Sequence, residues 1–370
     1  MRNIFLLILC SFLACQQSSE DMAVYISGKG GYHTYRIPAL LLTPGGTLLA
    51  FCEGRKNDQG DSGDIDLLVK RSTDNGSTWS PYQVIWDDSV NVCGNPCPVI
   101  DRNSGTICLL MTWNRGDDPE HEIVNGSSDD TRRVFIAYSR DEGLSWSDPR
   151  EITEMTKKPQ WSWYATGPGA GIQLRQGQHA GRLLIPCDHK VTTDSLEYRS
   201  HVIYSDDGGE TWHIGGSTND GSNECQMIER RDGTLFMSMR RARGVVQPFR
   251  LTSISPDAGM SWTSSTFDSV LIGPRCQGSM IKYRGVERTP DEPVLHSNPA
   301  HRSERIKMTV RLSEDDGRTW DREKCLYEGA SAYSCLAMLP DGRVACLYEN
   351  GDRHPYERIS LARFGLDSIQ

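Results

Sequence analysis

The stretch Ser72-Thr73-Asp74-Asn75-Gly76-Ser77-Thr78-Trp79 is one of five copies of the pattern Ser-x-Asp-x-Gly-x-Thr/Ser-Trp, and this pattern decides the fold. The other four copies span residues 139–146, 205–212, 255–262 and 313–320. The Asp residues of successive copies lie 50 to 67 residues apart, which suits four strands per repeat. The repeat therefore predicts an all-β protein built from similar four-stranded blades.

Each copy has the chemistry of a tight turn between two strands. The Asp side chain can bond to its own backbone two residues on, the Gly supplies a positive φ angle, and the Trp offers a large apolar face. The distant Glu ligand of a calcium loop is missing, so we expect no metal there. Five copies and two further strand-like runs, 343–348 and 357–364, predict a six-bladed β-propeller. Residues 22–26 are predicted to close it by pairing with those last strands.

Composition limits the class of protein and its partners. The chain has 370 residues, of which 35 are Gly and 18 are Pro, and it shows no long helical period. This suits a large core made of short strands and turns. The net charge of −9 argues against nucleic acid and anionic membrane surfaces as partners. The acidic stretch 117–130 is predicted to be a solvated loop.

The N-terminus has the pattern of a bacterial secretion signal. Arg2 precedes an apolar run over residues 4–9, and Ala14-Cys15 resembles a lipoprotein cleavage site with Cys15 as the lipidated residue. We expect residues 1–15 to be the signal and residues 16–370 to form one domain, anchored by lipid in the cell envelope at the periplasm or cell surface. Simple secretion is the alternative.

The cysteines indicate no metal site. Ten of the twelve follow Cys15, and no CxxC pair has a matching second pair. Cys93 and Cys97 could form a disulfide in an oxidising compartment. Four others lie in apolar runs and are expected in the core: Cys52, Cys108, Cys187 and Cys346.

Arginines interrupt, end or precede three apolar runs. Arg36 lies inside Tyr-Arg-Ile-Pro-Ala-Leu-Leu-Leu, Arg240 ends Met-Ser-Met-Arg, and Arg302 and Arg305 both precede the run that begins at Ile306. A buried, snorkelling stem is the plain interpretation of Arg36. The functional interpretation is a set of three guanidinium groups that converge on a carboxylate.

Other polar residues that could carry chemistry lie beside similar runs. The Asp- and Gly-rich loop that contains Asp58, Asp61 and Asp64 could supply a general acid, although an ordinary Asp turn explains it equally well. Glu224 precedes an apolar segment. Tyr333 lies in a strand of small residues, where a tyrosine is usually a core residue with a satisfied hydroxyl.

Four motifs together resemble the exo-α-sialidases (neuraminidases) of the bacterial and animal type. They are Tyr-Arg-Ile-Pro at 35–38, the five Asp boxes, Ser-Ala-Tyr-Ser at 331–334 and Leu-Tyr-Glu at 347–349. The resemblance covers nearly everything after the signal. It implies a glycoside hydrolase that removes terminal sialic acid from glycoproteins, glycolipids and oligosaccharides and that needs no metal or organic cofactor.

The resemblance also implies a role for each site residue. Arg36, Arg240 and Arg305 resemble the triad that binds the sialic acid carboxylate, with Arg302 as the competitor of Arg305. Asp61 resembles the general acid/base, with Asp58 and Asp64 as rivals. The remaining roles fall on five positions: Tyr333 as nucleophile, Glu224 as its activating carboxylate, Glu349 as the residue that orients Arg36, Arg55 beside the acetamido group, and the segment 161–169 as pocket lining.

A tyrosine nucleophile suits this substrate. Sialic acid has a carboxylate on its anomeric carbon, which would repel a carboxylate nucleophile, whereas a neutral phenol avoids that repulsion. The expected outcome is a covalent tyrosyl intermediate and retention of configuration. The alternatives are a trans-sialidase with the same residues, a sialoglycan-binding lectin, which has no need of the acid or of the Tyr–Glu pair, and a different hydrolase, which would not require three arginines.

Overall fold

A computed structural model describes residues 21–192, 195–284 and 292–370. Within these ranges the protein is all-β, with 24 strands, two short α-helices and one 3-10 helix. The predicted signal, including Cys15, lies outside the described residues. None of the helices in the described part of the chain is long and apolar enough to cross a membrane.

The strands form four hydrogen-bonded sheets of eight, five, four and seven strands. They fall into six antiparallel units, five of four strands and one of five, because a single β4–β6 bridge joins units 1 and 2 and the long β22 is shared by units 5 and 6. Unit 1 contains β2 (Thr34–Leu42), β3 (Leu48–Arg55), β4 (Ile65–Ser72) and β5 (Gln83–Trp86). Unit 2 contains β6 (Val92–Ile100), β7 (Ile107–Asn114), β8 (Arg133–Ser139) and β9 (Arg150–Glu151). Unit 3 contains β10 (Trp161–Thr166) with the short β11 (Ile172–Gln173), then β12 (Leu183–Thr192), β13 (Leu196–Ser205) and β14 (His213–Ser217).

Unit 4 contains β15 (Ser222–Glu229), β16 (Leu235–Arg241), β17 (Phe249–Ser255) and β18 (Thr266–Ile272). Unit 5 contains β19 (Ser279–Lys282), β20 (Val294–Pro299), β21 (Ile306–Ser313) and the first half of β22 (Arg322–Met338). Unit 6 contains the second half of β22, β23 (Val344–Gly351), β24 (Arg358–Phe364) and β1 (Met22–Ile26). The helices are α1 (Glu120–Asn125), α2 (Thr153–Thr156) and the 3-10 helix (Leu366–Ser368).

Each Asp box forms the turn between the third and fourth strands of a unit, as predicted. In the first box, Ser72 Oγ donates to Asp74 Oδ1 at 2.7 Å and accepts from the Gly76 amide at 2.9 Å. Asp74 in turn accepts from the amide and the hydroxyl of Thr78 at 2.8 and 2.6 Å. Gly76 has φ +80°, and a Cβ there would lie 2.2 Å from a methyl group of Leu361. The turn therefore requires glycine both for its backbone angle and for its close packing.

The first strand pairs with the last, which confirms that prediction. β1 runs antiparallel to β24, with Met22 opposite Leu361 and Ile26 opposite Arg358. The edge of β24 is thereby covered by a strand from the other end of the chain, which leaves no unpaired row of backbone groups there.

The core lies between the units. Most positions of the central strands are buried on both faces, so alternate side chains pack against different neighbours. Leu49 and Phe51 of β3 belong to the cluster shared with unit 2, whereas Leu48 and Ala50 belong to the cluster shared with unit 6. Among the described residues, clusters of this kind join units 1–2, 2–3, 3–4, 4–5, 5–6 and 6–1.

Three expectations about loops and cysteines can be compared with this architecture. The acidic stretch 117–130 is not a plain solvated loop, because it contains α1, which covers part of a cavity mouth. Cys93 and Cys97 are free, buried thiols and do not form a disulfide. The four cysteines predicted to be core residues are all buried.

Candidate active site

The first strands of five units bulge where they reach one large cavity of about 810 Å³. The register shifts lie in β2 after Arg36, in β6 after Gly94, in β10 after Trp161, in β15 after Ser222 and in β22 after Ser331. A bulge adds a residue to one strand and turns its side chains out of the ladder. Two of the bulges place non-glycine residues in the left-handed region, Ile37 at φ +59° and Asn95 at φ +53°. A positive φ is uncommon at any residue other than glycine, above all at the β-branched Ile37. Backbone strain of this kind concentrates at functional sites.

Tyr333, Glu224 and Arg240 form one hydrogen-bonded group in this cavity. The Tyr333 hydroxyl donates to Glu224 Oε1, and Arg240 Nη1 donates to Glu224 Oε2 at 2.7 Å and to the Tyr333 hydroxyl at 2.9 Å. Burial, followed by the Glu224 charge, raises the pKa of Tyr333 well above its usual range, against the opposing effect of Arg240. The phenol is therefore neutral in the free protein, with a carboxylate already placed to take its proton.

The buried carboxylate of Glu349 connects Arg36 to Tyr333. Its side chain is fully buried, and its Oε1 accepts from Arg36 Nε at 3.1 Å and from the Ile37 amide at 2.9 Å. Its Oε2 accepts from the Tyr333 amide at 3.1 Å. The Glu349 carboxylate thus fixes the guanidinium of Arg36 in the β2 bulge and the backbone of Tyr333 in the β22 bulge. This position suits the role of orienting Arg36 that was predicted for it.

Arg305 completes a group of three arginines around Tyr333. Its guanidinium carbon lies 5.5 Å from the centre of the Tyr333 ring, and that of Arg36 lies 5.2 Å from it. Tyr356 orders both, because its hydroxyl accepts from Arg305 at 2.6 Å and its ring lies 4.1 Å from Arg36. Arg302 is not among the described residues that line the cavity, and its guanidinium lies instead 5.8 Å from the Phe249 ring.

Asp61 lies at the rim of the same cavity. Its side chain is 64% exposed and pairs with Arg55 at 2.8 Å and Arg36 at 3.6 Å. Desolvation by the cavity walls alone would raise the pKa of Asp61, but the charges of Arg55 and then Arg36 hold it at about 2. The rivals have other partners: Asp58 accepts from the Gly60 amide at 2.6 Å, and Asp64 pairs with Lys56 at 2.9 Å.

Arg55 holds the loop that carries Asp61. Besides Asp61, its guanidinium donates to the carbonyl groups of Gln59 and Gly60 at 2.6 and 2.8 Å and to Glu53 at 2.6 Å. In the free protein Arg55 is therefore a fixed anchor of the acidic loop as well as part of the cavity wall.

Several lining residues have no counterpart in the predicted set: Asn95, Glu120, Arg132, Asp188, Lys190 and Tyr356. Asp188 follows the apolar run of β12, so the signal that identified Arg36 could also have identified it. Burial, followed by repulsion from Glu224, raises the pKa of Asp188 well above its usual range. Glu120 of α1 pairs with Lys190 across the mouth. Of the segment 161–169, Trp163 and Ala165 line the cavity.

The cavity is rich in cations and suits an organic anion. Arginines from units 1, 2, 4 and 5 reach it, and no group of three or more acidic, His or Cys side chains in the described ranges could hold a metal ion. The arrangement can bind a carboxylate by several guanidinium forks while a neutral phenol, its base and a rim carboxylate face the bound molecule.

Known proteins are similar to this chain in sequence and in fold. Residues 46–346 match the family model of the BNR repeat-like domain. The sialidase of Micromonospora viridifaciens is 32% identical over 94% of this chain, which spans about half of that enzyme (54%). Sialidase-3 of Mus musculus is 31% identical over 90% of this chain and 91% of its own length. The solved structure titled "Hadza microbial sialidase Hz136" is 30% identical, with a TM-score of 0.84 over 94% of this chain and 69% of its own. The chain belongs to the sialidase family of glycoside hydrolases.

Proposed function

We propose that the protein is an exo-α-sialidase that hydrolyses terminal, α-ketosidically linked sialic acid with retention of configuration, through a covalent intermediate on Tyr333. The observation that carries the proposal is the buried Tyr333–Glu224 pair beneath Arg36, Arg240 and Arg305. A lectin would need the arginines but neither the proton acceptor nor the rim acid.

In the proposed first step, the arginines hold the substrate carboxylate and orient the anomeric carbon toward Tyr333 Oη. The phenol loses its proton to Glu224 as its oxygen bonds to the anomeric carbon, and the bond to the leaving oxygen breaks. Asp61 gives its proton to that oxygen. In the second step Asp61 takes a proton from water, which attacks the same carbon and returns the phenoxide to Tyr333, where Glu224 gives the proton back.

This mechanism requires Asp61 to gain a proton when the substrate binds. With a pKa of about 2 it is ionised in the free enzyme. A bound carboxylate neutralises Arg36, and the sugar covers the exposed Asp61 carboxylate, and both effects raise its pKa. When ligand binding raises the pKa of a group, the protein takes up a proton on binding at pH values between the old pKa and the new one. The affinity for the ligand therefore falls as the pH rises through the new pKa.

We therefore expect binding of an unsaturated sialic acid analogue to take up a substantial fraction of one proton near pH 5 and less at pH 8. Calorimetry in buffers of different ionisation enthalpy measures this number directly. Asp61→Asn should bind the analogue with almost no uptake. Equal uptake by both proteins would assign the proton to another group and remove Asp61 from the acid role.

Release of the fluorescent aglycone from 4-methylumbelliferyl α-sialoside tests the activity itself. We expect the purified protein to release it and Asp61→Ala to lose most of that release, since the leaving oxygen then has no positioned acid; general acid catalysis is worth about 10² to 10⁴ in rate. No release by the wild type, with the analogue still bound, would favour a lectin or a transferase that needs an acceptor.

Product analysis separates hydrolysis from transfer. Structures titled as intramolecular trans-sialidases, from leech and Ruminococcus gnavus, share the fold with TM-scores of 0.78 and 0.76, at 20% and 19% identity. Free sialic acid as the product supports the proposed hydrolase. A 2,7-anhydro sugar would identify an intramolecular transferase built on the same cavity.

The proposal extends to architecture and location. The six units would form the blades of a propeller. Hydrophobic clusters join each unit to the next, and the last cluster joins unit 6 to unit 1. A lipid on Cys15 would anchor this domain in the cell envelope, where sialylated glycans are accessible.

A further inference from the structure

Three arginines line the active-site cavity where it opens to solvent: Arg241, Arg243 and Arg275, called the mouth arginines below. Arg243 and Arg275 are exposed, and Arg241 is half-buried. Arg241 directly follows Arg240 at the end of β16, and the Arg275 carbonyl accepts from Arg305 at 3.0 Å. The mouth arginines therefore adjoin two of the three arginines that are proposed to hold the substrate carboxylate.

The carboxylates that line the cavity do not balance these three charges. Within the described ranges, none of the mouth arginines forms an ion pair with an acidic side chain. Asp188 is kept largely neutral, because burial, followed by repulsion from Glu224, raises its pKa well above its usual range. The other lining carboxylates are paired with different cations: Glu53 and Asp61 with Arg55, Glu120 with Lys190, and Glu224 with Arg240.

Arg241 is the most constrained of the mouth arginines. Its Nε is buried and has no hydrogen-bond partner in the described structure. Its Nη1 donates to the Val245 carbonyl at 2.6 Å and its Nη2 to the Arg302 carbonyl at 3.5 Å, and both acceptors are uncharged. Burial, followed by repulsion from Arg275 and Arg240, lowers the pKa of Arg241. An anion at the mouth would relieve this repulsion, so the arrangement favours binding of one.

The terminal sialic acid cannot supply this anion. Its one carboxylate is held, in the proposed mechanism, by Arg36, Arg240 and Arg305, and its hydroxyl and acetamido groups are uncharged. The carboxylate and the leaving oxygen share the anomeric carbon, so the aglycone begins beside those arginines. Asp61, the proposed acid for that oxygen, is an exposed residue of the rim, which directs the aglycone to the mouth. A second anion at the mouth therefore belongs to the aglycone.

We propose that the mouth arginines bind a carboxylate of the penultimate sugar, so that the preferred substrates are oligosialosides, in which one sialic acid is linked to another. This inference rests on the proposed function, since it assigns the part of the substrate beyond the hydrolysed bond. Guanidinium forks suit a carboxylate. The chain as a whole has a net charge of −9 and would repel such a polyanion, so the attraction is local to the mouth.

A matched pair of substrates tests the assignment. One is α2,8-linked disialyllactose, and the other is the same tetrasaccharide with the carboxylate of its inner sialic acid replaced by an uncharged amide. For release of the terminal sialic acid, we expect kcat/KM to be about tenfold higher for the acid than for the amide, since the amide lacks the charge that the arginines bind. This acid-to-amide ratio should fall as salt is added. A ratio near one at low salt would overturn the proposal.

Two variants locate the contact. Arg241→Gln and Arg275→Gln should each lower the acid-to-amide ratio about threefold or more, because each removes one cation and keeps a polar side chain. Arg302→Gln is the matched control, an arginine in the connection before β21 that is outside the lining, and it should keep the wild-type ratio. Both substrates use the same Tyr333, so a general loss of folding or catalysis cancels in the ratio. An unchanged ratio in both variants would contradict the assignment.

The fluorogenic sialoside, whose aglycone is uncharged, separates this proposal from the proposed function. Turnover of that sialoside together with a ratio near one would refute the mouth site and leave the hydrolase in place. If the protein cleaves no sialoside, the proposed function fails, and calorimetry on the two uncleaved tetrasaccharides decides the mouth site: tighter binding of the acid supports it, and equal binding overturns it.

A sulfated substrate tests the choice of a carboxylate. A sulfate ester on the galactose of α2,3-sialyllactose places an anion on an otherwise neutral aglycone. We expect it to raise kcat/KM less than the inner carboxylate of disialyllactose does. An equal or larger gain would assign the mouth to sulfated glycans and overturn oligosialosides as the preferred class.

Discussion

Tyr333→Phe is expected to lower kcat by about three orders of magnitude or more, the scale on which removal of a nucleophile acts. The change deletes the oxygen that bonds to Glu224 and Arg240 but keeps the ring, which lies 5.2 Å from Arg36 and 5.5 Å from Arg305. Binding of the unsaturated analogue should therefore stay within about threefold of wild type, since cation–π contacts of this kind are worth only about 1 kcal/mol and are retained.

Steady-state kinetics on the fluorogenic sialoside and calorimetry on the analogue measure the two effects separately. Tyr356→Phe is the matched control, because Tyr356 also lines the cavity and contacts Arg36 and Arg305 but not Glu224 in the described structure. We expect it to change affinity more than kcat. Turnover of Tyr333→Phe at the wild-type rate would refute the covalent role of Tyr333.

Arg305→Ala is expected to weaken binding of the analogue by about 100-fold, the usual scale for removing one partner of a buried charge-assisted contact. The side chain lies beside Tyr333 and is held by Tyr356 and by the Arg275 carbonyl at 3.0 Å. Its guanidinium is therefore already in position in the free protein. Binding of an anion then costs little of the conformational entropy of this side chain.

Arg302→Ala gives the direct comparison and should leave the affinity within about twofold, since a surface contact contributes little. Both variants lose one positive charge from the same loop, so any difference between them reports position and not net charge. Calorimetric titration with the analogue distinguishes them. If Arg302→Ala has the larger effect, the carboxylate is bound at Arg302 and the assignment of the third arginine is wrong.

Sequence was sufficient to predict the strand order around each Asp box. Ser, Asp and Gly at fixed spacing can hardly form anything but the observed turn, because the Asp oxygens and the Ser hydroxyl satisfy the local amides. The pairing of β1 with β24 was predictable because an unpaired edge on the last unit would be costly. The α1 helix was not predictable, since its six residues are too few to show a helical period.

The site was predictable where a charged or polar residue interrupts a strand of apolar or small residues. Arg36, Glu224 and Tyr333 all lie at register shifts of inner strands, which is the physical reason why such a residue does not disturb the core. Tyr356 and Arg132 lie in connections between strands, where polar residues are ordinary and give no signal. Only the fold brings them to the cavity.

The pairing of β1 with β24 also sets a time order for making this protein. The ribosome completes β1 before the other described strands and β24 after them, and at about 5 to 20 residues per second the interval is roughly 20 to 70 seconds. Until β24 has been made, unit 6 lacks one of its strands. The sheet that holds Tyr333 and Glu349 is therefore incomplete. The proposed nucleophile therefore lacks its complete sheet until β24 has been made, and a chain that stops before Arg358 should have no activity at any concentration.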